Sequence, residues 1–476
     1  MILSIAWKNI WRNKLRSLVV IFAVIIGILS GSIGVSIMEG MMKSRAKAQL
    51  NNEISHIQIH NSNFKFNNEA KYYIDNYDSI KTFISKLDGY KSSTDRLVIS
   101  GLINSTGGNT AAFIYGIYPD IEKQVTEIYL FVKDSSGGYF NQDKKNQILI
   151  SETTAKKLRL DRYVITDKTI ELLSINNFPV DETPKLKTLL NIEYRTHKDF
   201  FNELRNTLDS KIVKEYEFLL LKYAVTFKHR ANLVVTFQDI NGKITGDRFR
   251  ITGIYKTGNR MFDEMSVFVN KKDLSRLSGY KETYSHEIAV MLSDKDIAKP
   301  FAEKIKNKFP NLKVETWGEI EPMLIMFSEY MVIYNYLIIL IILAALAFGI
   351  INTMLMAIME RTKELGMLAA VGMNKNRIFK MIMLETIFLT ITGAIVGLVS
   401  NYFIIDWLSR KGIDLTKQMG EALEAMGFDS LIYPEMGVEY YFGITLLVIF
   451  VAILSSIYPA IKAIKLNPAD AVRTDA

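Results

Sequence analysis

Residues 330–359 read YMVIYNYLIILIILAALAFGIINTMLMAIM, a run of 30 without a single charge. A helix needs about 20 apolar residues to cross the ~30 Å hydrocarbon layer of a membrane. At 1.5 Å per residue this run makes about 45 Å of helix, more than one crossing requires. Gly349 is its only glycine, and no proline interrupts it. Three more charge-free runs follow the same rule: Ser17–Met38 (22 residues), Thr386–Ile405 (20) and Tyr440–Ile461 (22). Core helices of soluble proteins rarely reach such lengths without a charge. The four runs therefore predict four membrane helices, and they exclude a purely soluble protein, a disordered chain and, with no cysteine present, a disulfide-stapled one.

The first run is followed by Lys43, Arg45 and Lys47 without a clean small-x-small site, so it reads as an uncleaved anchor rather than a secretory signal. Orientation follows the basic residues of the short segments. Residues 1–16 hold Lys8, Arg12, Lys14 and Arg16 and no acid, segment 360–385 holds five basic residues, and 462–476 holds Lys462, Lys465 and Arg473. The connection 406–439 holds three basic residues against seven acids. Both ends and the 360–385 loop are expected in the cytoplasm, with 39–329 and 406–439 outside. The net charge of +8 is read as this topology signal; no basic patch with interleaved aromatics points to nucleic acid.

The expected layout is a cytoplasmic amphipathic helix at 1–16, a first membrane helix at 17–42, an extracytoplasmic domain at 43–320, and a stalk with the second membrane helix at 321–359. A cytoplasmic loop follows at 360–380, then a third membrane helix at 381–405, an outer loop at 406–439, a fourth helix at 440–461 and a cytoplasmic tail at 462–476. In the first segment Trp7, Ile10 and Trp11 share an apolar face suited to the membrane–water boundary. Glu39–Glu53 is helix-prone, so helices one and two are expected to continue beyond the membrane as a stalk. Within the large domain, both ends alternate like strands and helices of one α+β subdomain, with 118–282 inserted. Leu186–Ala224, charged and free of Gly and Pro, reads as a helical excursion.

Several chemistries are missing. There is no GxxxxGK[ST] phosphate loop and no HExxH. His56 and His60 lie on one strand about 13 Å apart, too far to share a metal ion. No catalytic residue, metal site or cofactor is expected. Glu385 is an intramembrane acid near the cytoplasmic boundary, a functional suspect by default that could instead snorkel or pair with Lys380 or Arg361. Gly27-x-x-x-Gly31 and Gly393-x-x-x-Gly397 suit close helix packing.

The segment Met359-Glu360-Arg361-Thr362-Lys363-Glu364-Leu365-Gly366-Met367-Leu368-Ala369-Ala370-Val371-Gly372 resembles the cytoplasmic loop of FtsX-like ABC-transporter permeases, ER-x-x-E-[IL]-G-x-L-x-A-[LIV]-G. Ala6–Lys14 resembles the family's N-terminal helix, and Tyr458-Pro459-Ala460 with Leu466–Arg473 its C-terminal signature. The large domain is similar to the lipoprotein-releasing (LolC/LolE-type) and MacB-like branches. That resemblance implies an α-helical membrane protein with four transmembrane helices plus a large α+β extracytoplasmic domain of porter-like and sabre-like subdomains. It implies a non-catalytic permease whose loop residues Glu360, Arg361, Lys363, Glu364, Leu365, Gly366, Leu368, Ala370, Val371 and Gly372 receive a cytoplasmic ATPase, which alone binds ATP and Mg. From the residues themselves, Glu360–Val371 makes about three helical turns, with Leu365, Leu368 and Val371 on one apolar face and Gly372 as the stop.

The implied partners are that ATPase, a second copy or a related permease, membrane lipids, and a periplasmic lipoprotein carrier or an adaptor. The implied location is a bacterial inner membrane with the large domain in the periplasm. The expected work is release of lipoproteins or other amphiphiles, which the lack of an ATPase segment in these 476 residues favours. The alternatives are MacB-like efflux of peptides or drugs and signalling to a cell-wall hydrolase.

Overall fold

The structure is a computed structural model that describes Trp7 and residues 14–64, 70–132, 137–141, 144–228 and 231–465. Ile10, Trp11, His229 and the 466–473 signature lie outside the described residues. The chain forms two compact units. The first takes in Met1–Ser44, Met323–Leu415 and Leu431–Ala476; the second takes in Arg45–Pro322 and Thr416–Ser430.

Among the described residues, the first unit is built on four helices long and apolar enough to cross a membrane. They lie within Lys14–Gln49, Pro322–Glu360, Lys375–Lys411 and Val438–Ile464. Each outlasts its charge-free run. The second is one unbroken helix of 39 residues, about 58 Å long. Pro322 opens it, where the missing amide hydrogen costs nothing, and Gly349 passes without a break.

Small residues let these helices meet closely. A Cβ at Gly393 would lie 3.0 Å from Val24 Cβ, and one at Gly397 would lie 3.0 Å from Ile28 Cδ1. On the first helix, Gly27 faces Leu346 and Gly31 faces Ile444. All four predicted packing glycines therefore serve contacts within this chain. Gly40 adds a contact the pattern did not reveal. A side chain there would strike the Tyr433 carbonyl, and beside it the Glu435 amide donates to the Ser36 carbonyl at 3.0 Å.

The second unit is an α/β domain around one nine-stranded sheet. Its strands, with a separate β5–β6 pair, are β1 (Ile57–Asn61), β2 (Tyr90–Asn104), β3 (Asn109–Ile117), β4 (Gln147–Ser151), β5 (Asp161–Tyr163), β6 (Val225–Phe227), β7 (Asn232–Gln238), β8 (Ile244–Tyr255), β9 (Ser266–Asn270), β10 (Glu287–Leu292) and β11 (Leu312–Thr316). The sheet order is β11-β1-β10-β2-β3-β9-β4-β8-β7.

The sheet crosses the expected subdomain boundary at 118. β2 is 15 residues long and serves two cores. Its first half pairs with β10 (Arg96 opposite Glu287), beside a core of Ile57, Ile59, Ile80, Val290 and Phe301. Its second half pairs with β3 (Leu97 opposite Gly116) and β7, and supplies Leu97, Ile99 and Ile103 to a core with Ile148, Leu233 and Phe249. The strands expected in the first subdomain are thus the spine of the second. The helical excursion begins earlier than predicted, at Asp167 behind a Thr166–Thr169 capping box, and packs its own core around Leu173, Phe200, Leu204 and Leu220.

Candidate functional site: the corner at 360–374

The second membrane helix ends at Glu360, and a new helix runs Thr362–Ala370. Arg361 alone interrupts the helical run between them. Its amide still donates to Ile358 O at 3.2 Å, and its carbonyl accepts from the Leu365 amide at 3.0 Å. The short helix stops where the sequence predicts: Gly372 takes φ +94°, a left-handed value that favours glycine. The Met373 amide then closes back on Leu368 O at 3.0 Å. Asn374 caps the third membrane helix by accepting from the Asn376 amide at 3.0 Å.

The faces divide differently from the expected apolar stripe. Leu365 is buried among Ile358, Ile378, Met381 and Ile382, and Leu368 packs against the same cluster. Val371, expected on that face, is 89% exposed, and Met367 is 55% exposed. Lys363 and Ala370 are exposed with them. Met367 lies four residues from both Lys363 and Val371 and three from Ala370, so the four form one outward stripe. Leu365, Gly366 and Leu368 are anchors. Met367 was missed because a single apolar period cannot say which of two apolar faces looks inward.

Arg361 also turns inward. Its Nη1 donates to both carboxylate oxygens of Glu385, at 3.0 and 3.2 Å, and its Nε donates to Glu364 Oε2 at 3.2 Å. Of the two pairing options left open by the sequence, the structure holds the Arg361 one. Trp7 packs edge-on against Phe388 of the same third helix, with ring centroids 5.6 Å apart.

The second unit carries its own polar cluster where the first long helix ends. That helix tightens into a π-turn at Leu50–Ile54, and Ser55 leaves it at φ 61°. Glu53 lies well past the charge-free run that ends at Met38. Its carboxylate accepts from Asn259 Nδ2 at 2.6 Å. The Asn259 side chain also caps helix Arg260–Met265. Inside that helix Asp263 accepts from the Thr257 hydroxyl at 2.8 Å. Burial pushes Glu53 up to about 7, against the Asn259 hydrogen bond and Arg45. Burial likewise pushes Asp263 up to about 7, against the Thr257 hydrogen bonds. Arg45 Nη1 donates to Gly427 O at 2.7 Å, which ties the start of this segment to the 416–430 stretch.

Deeper in the sheet, Arg96 bridges Glu122 at 2.6 Å and Glu287 at 2.5 Å, and Lys271 pairs with Asp95. The histidines do structural work. His56 Nδ1 accepts from the Leu292 amide at 3.0 Å, His60 Nδ1 lies 3.0 Å from His286 O, and burial holds His286 down at about 4. Among the described residues no group of His, Cys, Asp or Glu is arranged to hold a metal ion.

Residues 336–468 match the FtsX-like permease C-terminal family. An uncharacterised ABC transporter permease of Methanocaldococcus jannaschii is 27% identical over 237 residues, 48% of this chain and 56% of that protein. The lipoprotein-releasing system transmembrane protein LolC of Buchnera aphidicola is 24% identical over 235 residues, 48% of this chain and 54% of that protein. The chain thus spans about half the length of these curated relatives. The periplasmic region of MacB from Actinobacillus actinomycetemcomitans is 13% identical, with 56% of this chain and 91% of that one covered at a TM-score of 0.29. The segment similar to the FtsX-like permease C-terminal family thus takes in the corner and the Arg361–Glu385 pair, and the relatives of this chain are ABC-transporter permeases.

Proposed function

We propose that this chain is the permease subunit of a mechanotransmission-type ABC system in a bacterial inner membrane. A separate cytoplasmic ATPase binds ATP and Mg and docks on the outward stripe of helix Thr362–Ala370. The observation that carries this reading is the division of that helix: Leu365 and Leu368 anchor it, while Lys363, Met367, Ala370 and Val371 are solvent-exposed. An apolar stripe with one charge, standing out from a fixed helix, suits a groove in a soluble partner. Motion of the partner enters the long second helix, which has no proline beyond its first turn to absorb it. The large domain works on the far side of the membrane, in the periplasm. A second copy or a related permease completes the assembly.

The substrate class proposed is a lipoprotein or another amphiphile. Support comes from the lipoprotein-releasing relative, whose similarity runs over 48% of this chain, while that to the macrolide export protein MacB of Neisseria meningitidis runs over 27%. Mass spectrometry of proteins and lipids that co-purify from native membranes tests this, and a peptide or drug cargo in their place contradicts it. The docking reading has its own test. Met367→Asp combined with Val371→Asp should lower co-purification of the ATPase about tenfold or more while membrane insertion persists. Unchanged co-purification contradicts the docking face.

A further inference from the structure

The corner residue and the membrane acid together do something that neither the loop motif nor the helix layout requires. Helix Thr362–Ala370 is joined to the second membrane helix through Arg361 and to the third through Val371–Asn374. Its apolar anchors, Leu365 within and Leu368 against the core cluster that also holds Ile378, Met381 and Ile382, resist separation but are non-directional. Such contacts permit sliding. The Arg361–Glu385 pair does not. One guanidinium nitrogen meets both carboxylate oxygens at 3.0 and 3.2 Å, and the neighbouring Nε holds Glu364 of the short helix itself. One side chain thus ties the end of the second helix, the first turn of the short helix and the body of the third.

Both partners are largely shielded, Arg361 with 16% and Glu385 with 11% of the side chain exposed. In such a setting an ion pair is stronger than in water. Glu385 stands directly before the charge-free run Thr386–Ile405. A carboxylate placed there without a partner is costly, so the pair is held together rather than exchanged with solvent.

We propose that Glu385 is a positioning residue whose ion pair with Arg361 latches the short helix to the third membrane helix, so that a push on the loop enters the third helix directly as well as the second. This rests on the docking reading for the origin of the push, but the latch itself does not.

The chain has no cysteine, so label pairs can be introduced cleanly. Spin labels at Ala370→Cys and Lys380→Cys, in the full chain without any partner, should give one narrow distance. Glu385→Gln should lose that narrow peak. Glu385→Asp and the exchanged pair Arg361→Glu/Glu385→Arg should restore it, which a mere packing role for the side chain would not. A peak unchanged in Glu385→Gln overturns the latch whether or not an ATPase binds the loop.

The relay is read in the co-purified complex. ATP should change the labelling rate of Trp407→Cys, at the far end of the third helix. Glu385→Gln should abolish that change while co-purification persists. A full ATP response in Glu385→Gln overturns the relay through the third helix. Failure of the docking reading looks different, since it leaves co-purification intact in Met367→Asp/Val371→Asp and leaves the distance measurement as decisive as before.

Discussion

Two carboxylates, one buried and one half-buried, mark two regions of this molecule, and they are held in opposite ways. Glu385, on the third membrane helix, faces the guanidinium of Arg361. Glu53, where the first long helix ends in the large domain, faces the neutral amide of Asn259 at 2.6 Å. The first arrangement neutralises a charge with a charge and fixes geometry through a fork. The second compensates burial only in part, and Glu53 and nearby Asp263 are pushed up to about 7. This second region changes its proton content within the physiological range.

Breaking the ionic region gives the largest effect. Arg361→Ala removes the guanidinium from Glu385 in a shielded place and should cost about 3 kcal/mol. Thermal unfolding in detergent checks this. A loss no larger than that of an exposed lysine, such as Lys375→Ala, would mean the pair contributes nothing.

The neutral region is tested by Asn259→Ala, which removes the cap of helix Arg260–Met265 and the donor to Glu53 together, at about 2 kcal/mol. Here Glu53→Gln should recover part of the loss, because an amide costs less to bury than a carboxylate. No such recovery is expected when Arg361→Ala is paired with a change far from Glu385.

Next in size is the pH response. The unfolded chain releases the protons of Glu53 and Asp263 near pH 4, whereas the folded chain holds them to about 7. Stability from these groups is present at low pH and is lost as pH rises through 7. His286 acts in the other sense: unfolded it takes a proton below about 6.5, folded it refuses one until about 4, so stability is lost as pH falls through that window. Stability of the large domain should therefore rise by about 1.5 kcal/mol from pH 8 to 6.5 and keep rising toward pH 4, with His286 offsetting about one of the two carboxylates. Glu53→Gln with Asp263→Asn should flatten the rise, and hydrogen exchange of the large-domain sheet reads it.

The smallest effect concerns the helix that leads away from Arg361. Gly349 has no atom within 4 Å of where a Cβ would stand. Gly349→Ala should stabilise the second helix by about 0.5–1 kcal/mol and leave ATP-driven work intact. Gly393→Ala, against Val24 at 3.0 Å, should destabilise instead. Equal outcomes at the two glycines would remove the packing argument.

The sequence made the membrane helices legible because a charge-free run has few other uses, and made the corner legible because Gly372 ends a helix in a recognisable way. Its anchors and its outward stripe were not separable. Leu365 and Val371 are both apolar, and only tertiary packing decides that one is buried in the membrane-helix core and the other exposed. The Glu53–Asn259 contact joins residues 206 apart in the chain and left no local signal. The boundary at 118 failed for a related reason: β2 is long enough to belong to two cores, and alternation along a strand does not announce a change of partner. The 416–430 stretch, read as a loop, holds helix Thr416–Ala425 and meets Arg45 through Gly427 O, a backbone acceptor that no side-chain pattern encodes.

The central claim is that a push enters at the 360–374 corner and work is done by the large domain across a membrane. Val371→Cys and Val180→Cys, both strongly exposed, test it in sealed vesicles with an impermeant thiol reagent. The account predicts that only one of the two reacts from outside, and that the other reacts once the membrane is opened. Reaction of both from the same side would contradict it.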